Sequence, residues 1–87
     1  MPVKRKLQWD AAKAIANVRK HAVTFDEALA ALQKDLHVHI IPDQSHSVEE
    51  DRYQAIARTL RGEYLLIVYT IRNDNEWLIS ARPRDYE

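Results

Sequence analysis

The joint between two amphipathic segments constrains this chain more than any other stretch. It reads Asn17, Val18, Arg19, Lys20, His21, Ala22, Val23, Thr24, Phe25, Asp26, Glu27, Ala28. Thr24 and Glu27 have capping-box spacing: the hydroxyl accepts from the amide three residues on, and the carboxylate reaches back to the Thr24 amide. Val23 before the cap and Ala28 after it hold the hydrophobic-staple positions, Ala28 being a small partner. On the other side of the joint, Ile15, Val18 and Ala22 recur at helical spacing. Lys20 and His21 fall in the last turn, where unpaired carbonyls favour cations. One helix therefore ends near His21 and a second begins near Phe25, with a very short connection between them.

The 87 residues make one domain, 1–87, with room for a single modest core. Apolar residues at 46% and charged ones at 30% are ordinary for a globular domain. No cysteine is present, which excludes disulfides and thiolate zinc sites and suits a reducing cytosol. No apolar run approaches the roughly 20 residues that span a bilayer, and the charged start lacks a signal peptide's apolar stretch. A cytoplasmic protein without membrane attachment is expected. Thirteen basic residues balance thirteen acidic ones. The net charge therefore gives no independent argument for nucleic acid, but its distribution is uneven. Lys4, Arg5, Lys6, Lys13, Arg19 and Lys20 face only Asp10 in the first part of the chain, whereas residues 43–51 are acidic.

Residues 7–9 form a short candidate strand, and Asp10 is a good N-cap for the first helix. Ala11, Ile15, Val18 and Ala22 make one apolar stripe along it. The second helix runs from about Phe25 to Lys34 with Phe25, Ala28, Leu29 and Leu32 inward. Over residues 36–41 the period changes to two, a strand ended by Pro42 and Asp43. Residues 48–60 carry two signals. Tyr53, Ile56, Ala57 and Leu60 recur at helical spacing, and Ser47 with Glu50 would form a second capping box. Taken alone these residues read as a helix, although a short turn containing Gly62 before the next apolar run is a hairpin signal that supports a strand instead. Residues 64–71, apolar on both faces and rich in β-branched and aromatic types, read as a central strand. Turn residues 73–75 lead into a last strand over residues 76–82. The fold class is α+β: two N-terminal helices packed on a mainly antiparallel sheet, in the order β-α-α-β-β-β-β.

Three sets of residues carry a resemblance. Trp9, Asp10, Asn17, Lys20, His21, Val23, Phe25 and Ala28 resemble the opening of the BrnT family, the toxin half of a bacterial toxin–antitoxin pair. Residues 47–52, ending in Glu50, Asp51 and Arg52, and residues 79–82, Ile79, Ser80, Ala81 and Arg82, match two later pieces in the same order. Ala22 and Ala57 stand where the family usually has Gly, and residues 83–87 where members usually continue into a C-terminal helix. The resemblance implies a strand rather than a helix over about residues 52–59, and a strand is expected there. It implies a RelE-like fold and metal-independent endoribonuclease activity that inhibits translation, with no cofactor. It also implies a BrnA-type antitoxin bearing a ribbon-helix-helix domain, through which alone the complex reaches operator DNA.

Such cleavage needs a group to deprotonate the 2′-hydroxyl, another to protonate the leaving oxygen, and cations for the charge building on phosphate. The candidate catalytic residues are Arg52, Arg82, Glu50 and His21, and the candidate RNA-binding residues are Lys20 and Arg19. Arg82 offers phosphate a planar fork; the alternatives are a solvated strand-end arginine or a partner for Glu50. Arg52 has the same readings, and Glu50 is equally a helix-cap residue. His21 is either a proton-transfer group or a helix-end histidine bonded to its own turn. His37 and His39 share a strand face and with His46 would make only a weak zinc site, so no metal is assigned. Trp9, Phe25, Tyr53, Tyr64, Tyr69 and Trp77 are expected mostly in the core. The functional readings are a ribonuclease toxin, a catalytically impaired module that binds the antitoxin without cleaving RNA, and a small RNA-binding protein.

Overall fold

Asp10 starts the first helix as its position predicts: its carboxylate accepts from the amides of Ala12 at 2.7 Å and Lys13 at 3.4 Å. The computed structural model describes residues 7–34, 38–42 and 52–84. Within them the chain runs β1 (Leu7–Gln8), α1 (Ala11–His21), α2 (Phe25–Lys34), β2 (His39–Pro42), β3 (Arg52–Arg58), β4 (Tyr64–Arg72) and β5 (Asn75–Pro83). The capping box closes as expected. The Glu27 amide donates to Thr24 Oγ1 at 3.1 Å, and the Thr24 amide and hydroxyl reach Glu27 Oε1 at 3.4 and 3.2 Å. No described helix is long and apolar enough to cross a membrane.

The strands form one five-stranded sheet in the order β1-β5-β4-β3-β2. β1 joins β5 in parallel and every other pairing is antiparallel. The apolar run is the middle strand β4, as its composition predicts. The conflict over residues 48–60 resolves to strand at Arg52–Arg58; the expected cap formed by Ser47 and Glu50 lies outside the described residues. Ala55 and Ala57 are fully buried, whereas Leu60, a member of the helical stripe, is 84% exposed. It sits in the turn to β4, closed by the Thr59 amide on Glu63 O at 2.8 Å and the Gly62 amide on Thr59 O at 2.9 Å. Gly62 takes φ +86° there, a conformation that favours glycine.

One sheet face is covered by α2. The helix packs on β3, β4 and β5, and Ala28 and Ala31 on it and Ala55, Ala57 and Ala81 on the sheet are all buried in the same core, where small side chains favour close approach. Phe25, Ile67 and Leu78 supply bulk around them. Leu78 and Ala81, three residues apart on β5, are both buried, which strict alternation forbids. A bulge reconciles them: Val68 pairs with Ser80 and Tyr69 with Leu78, leaving Ile79 unpaired.

The first helix departs from its sequence pattern. Ile15 is 58% and Val18 44% exposed, and Ala11 and Ala22 also face solvent. The helix instead buries Asn17, with Ala14 and His21 half-buried beside it. The strand expected over residues 36–41 is described only as His39–Pro42, an edge strand that includes Pro42; Ile40 and Ile41 are exposed, and Leu36 lies outside the described residues.

Ala22 ends α1 at φ 57°, ψ 31°, its amide bonded to Val18 O at 2.8 Å. An L-residue in this left-handed well is strained by about 1–2 kcal/mol, and glycine is not. After glycine's larger unfolded-state entropy is set against that relief, Ala22→Gly should stabilise the protein by about 0.5–1 kcal/mol, read as a raised denaturant midpoint at unchanged m.

Candidate functional site

Opposite α2, the sheet presents a groove of about 400 Å³. Its wall is one face of α1: Lys13, Ala16, Asn17, Lys20 and His21, at the i, i+3, i+4, i+7, i+8 spacing. Its floor is Gln54, Leu66, Val68, Ile79, Ser80 and Arg82 from β3, β4 and β5. Two rows across the sheet form most of that floor. Gln54, Val68 and Ser80 pair in one, and Ile56, Leu66 and Arg82 in the next.

Asn17 holds wall to floor. Among the described residues β1 pairs with β5 at Glu76 and Trp77, and farther along β5 the Asn17 amide takes a strand's place. Its Nδ2 donates to Ala81 O at 2.7 Å and to Val23 O at 2.9 Å, and its Oδ1 accepts from the Ala81 amide at 3.0 Å. With Asn17 only 5% exposed, each of these bonds replaces one water would otherwise make. They tie together the α1 wall, the joint between the helices and the residue before Arg82.

The electrostatics of the groove have one sign. Lys13, Lys20 and Arg82 bring three cations, His21 adds an imidazole, and no carboxylate lines the groove among the described residues. Among the described residues, no hydrogen bond or ion pair engages the side chains of Lys13, Lys20, His21, Gln54, Ser80 or Arg82. Their binding capacity is available to a ligand.

The structure brings Lys20, His21 and Arg82 together and separates the other candidates. Arg52 lies on the same sheet face, opposite Thr70, while Arg82 lies opposite Leu66. Those positions are about 13 Å apart along β4, and β3 and β5 are about 10 Å apart, so the two arginines stand at diagonal corners, their Cα atoms about 16 Å apart. Arg52 is half-buried and engaged with other groups. Arg19 is exposed outside the groove lining, and Glu50 lies outside the described residues, as do His37 and His46. His39 is exposed on β2. Among the described residues no group of three potential ligands could hold a metal. Of the aromatics expected in the core, Tyr64 is 40% exposed, and Trp77 is half-buried on the Arg52 side of the sheet.

Sequence reasoning passed over Asn17 as a structural residue and Lys13, Gln54 and Ser80 as groove residues. The signal for the α1 residues was a polar stripe at helical spacing, overshadowed by the apolar one beside it.

The family model described as "ribonuclease toxin, BrnT, of type II toxin-antitoxin system" matches residues 9–86. The chain belongs to the BrnT family. Its fold is similar to the 1.1 Å crystal structure of the Brucella abortus ribonuclease toxin BrnT, with a TM-score of 0.75 at 20% identity, covering 94% of this chain and 99% of that one. No curated protein matches the chain in sequence. A type II system pairs its toxin with an antitoxin, so the family places this BrnT chain beside such a partner.

Asn17→Ala should lower stability by about 2–4 kcal/mol, because it leaves two buried carbonyls and one buried amide unpaired. Chemical denaturation measures this. A loss below about 1 kcal/mol would show that water replaces the amide without cost.

Proposed function

We propose that this BrnT chain is a metal-independent endoribonuclease that binds single-stranded RNA in the groove between α1 and the open sheet face. The observation carrying the proposal is a groove in which cations converge with no carboxylate among the described lining and with their donors unengaged. Lys13 and Lys20 are suited to hold backbone phosphates as point charges, and Arg82 to grip the scissile phosphate with its planar fork. His21, half-buried between them, is the groove's proton-transfer group. It deprotonates the 2′-hydroxyl, whose oxygen attacks phosphorus as the bond to the 5′-oxygen breaks, giving a 2′,3′-cyclic phosphate and a 5′-hydroxyl once the leaving oxygen is protonated; Arg82 stabilises the charge gathered on the phosphate. Arg52 extends the track at the far corner, Arg19 meets RNA outside the groove, and Glu50 is the candidate second proton-transfer group. A substrate of this kind places the protein in the cytoplasm, held inactive there by a BrnA-type antitoxin. Operator DNA is then contacted only by the complex.

One observation favours a second reading, a module that binds the antitoxin without cleaving RNA. Among the described groove residues His21 is the sole proton-transfer group, where the reaction uses an acid and a base.

Purified protein with end-labelled single-stranded RNA in EDTA separates the two. Cleavage to a 2′,3′-cyclic phosphate, reduced about a hundredfold or more by Arg82→Ala, is the expected outcome. Intact RNA with wild-type protein would leave the binding module. Binding to an uncleavable 2′-O-methyl RNA should weaken with salt at a log–log slope of about −2, as three phosphate contacts predict. A slope near zero would remove the groove cations from the interface.

A further inference from the structure

The cations account for the groove's rim and for phosphate. The centre of its floor remains, and it combines features phosphate does not need. Gln54, Val68 and Ser80 pair in a single row across three strands, so the Cα atoms of Gln54 and Ser80 lie about 10 Å apart with Val68 between them. Leu66 and the bulged Ile79 extend the apolar surface beside Val68. Gln54 and Ser80 are both half-buried, and neither side chain has a hydrogen-bond partner among the described residues. Half-buried polar groups without protein partners on a groove floor keep their donors and acceptors open to water or to a ligand that displaces it. A phosphate would be poorly served here, since Leu66, Val68 and Ile79 offer it nothing.

A nucleobase suits both halves of this arrangement. Its face is apolar enough to lie on Leu66, Val68 and Ile79, and its edge carries adjacent donors and acceptors. The carboxamide of Gln54 presents one donor and one acceptor side by side, the pattern by which Gln engages base edges bidentately. Ser80 offers a hydroxyl that both donates and accepts on the opposite side. The base must be unpaired, because a duplex keeps both its faces and its pairing edge occupied. We propose that the centre of the groove floor is a nucleobase subsite, in which Gln54 and Ser80 bond the edge of one unpaired RNA base lying on Leu66, Val68 and Ile79, and that Gln54 sets which base is preferred. The proposal rests on the RNA reading of the groove and adds base recognition to it. The bulge at Ile79 gives the subsite its local shape: it lets Leu78 and Ala81 both face the core while Ile79 and Ser80 reach the groove.

The test uses fluorescently labelled 2′-O-methyl RNA heptamers of A, C, G and U, and a heptamer with abasic sugars at every position, with the full chain. Wild-type protein should bind its preferred homopolymer about tenfold more tightly than the abasic strand and rank the four bases over a similar range. Gln54→Leu should collapse that ranking to within about twofold while leaving the salt slope unchanged. Gln54→Glu, which keeps the length but removes the donor, should reorder the ranking toward bases presenting amino groups. Equal midpoints in thermal unfolding confirm that both variants fold. Salt-dependent binding that does not distinguish abasic from base-bearing RNA, or a ranking that survives both substitutions, would overturn the subsite and leave the cationic groove standing. Absence of RNA binding by the wild-type chain would overturn both readings.

Discussion

The Asn17 carboxamide is the interaction on which the other parts of this structure depend. A sheet edge needs partners for its amides and carbonyls, and among the described residues β1 supplies them to β5 at Glu76 and Trp77. Beyond that point Asn17 bonds both the amide and the carbonyl of Ala81 and also holds the Val23 carbonyl. A helix normally packs on a sheet through apolar contact, which tolerates sliding and rotation. Three buried hydrogen bonds fix both. They set α1 at the β5 edge with Lys13, Lys20 and His21 along the groove, and so decide which face of the helix looks inward.

That orientation explains the exposed apolar stripe on α1. Burying Ile15 and Val18 would favour a different rotation by a few kcal/mol at most, and that rotation would strand the Ala81 amide and carbonyl. The family motif that includes Asn17, Lys20 and His21 thereby acquires a physical meaning. One residue anchors the helix end, and the next two, three and four positions on, are carried to the groove. Arg82 comes to the same place because it follows Ala81 in the chain. Both sides of the site are thus fixed through one side chain.

The two faces of the sheet divide the work. The face under α2 is lined by alanines and closed by Phe25, Ile67 and Leu78, which gives a rigid platform despite the small size of the domain. The other face keeps apolar residues beside unengaged polar ones, a composition too polar for a core and too apolar for ordinary surface. The family is one of ribonuclease toxins, and that combination is the basis on which RNA is proposed as the ligand of the groove.

Local chemistry determined much of this protein in advance. The capping residues Asp10, Thr24 and Glu27 marked the helix starts, the β-branched run marked the central strand, and Gly62 marked a turn. These signals were legible because each concerns residues within a few positions of one another. At Tyr53, Ile56, Ala57 and Leu60 the local spacing pointed to helix, and the family resemblance pointed to strand. The family was legible as well, through motifs in fixed order, and three of the residues in those motifs, Lys20, His21 and Arg82, line one groove. Tertiary structure alone decided the rotation of α1, the bulge at Ile79, the separation of Arg52 from Arg82, and the meeting of Lys13, Gln54 and Ser80 in one groove. Each of these depends on strand register or on bonds between Asn17 and Ala81, which lie 64 residues apart. Periodicity shows that a segment has two faces; only the partner across the fold determines which of them is buried.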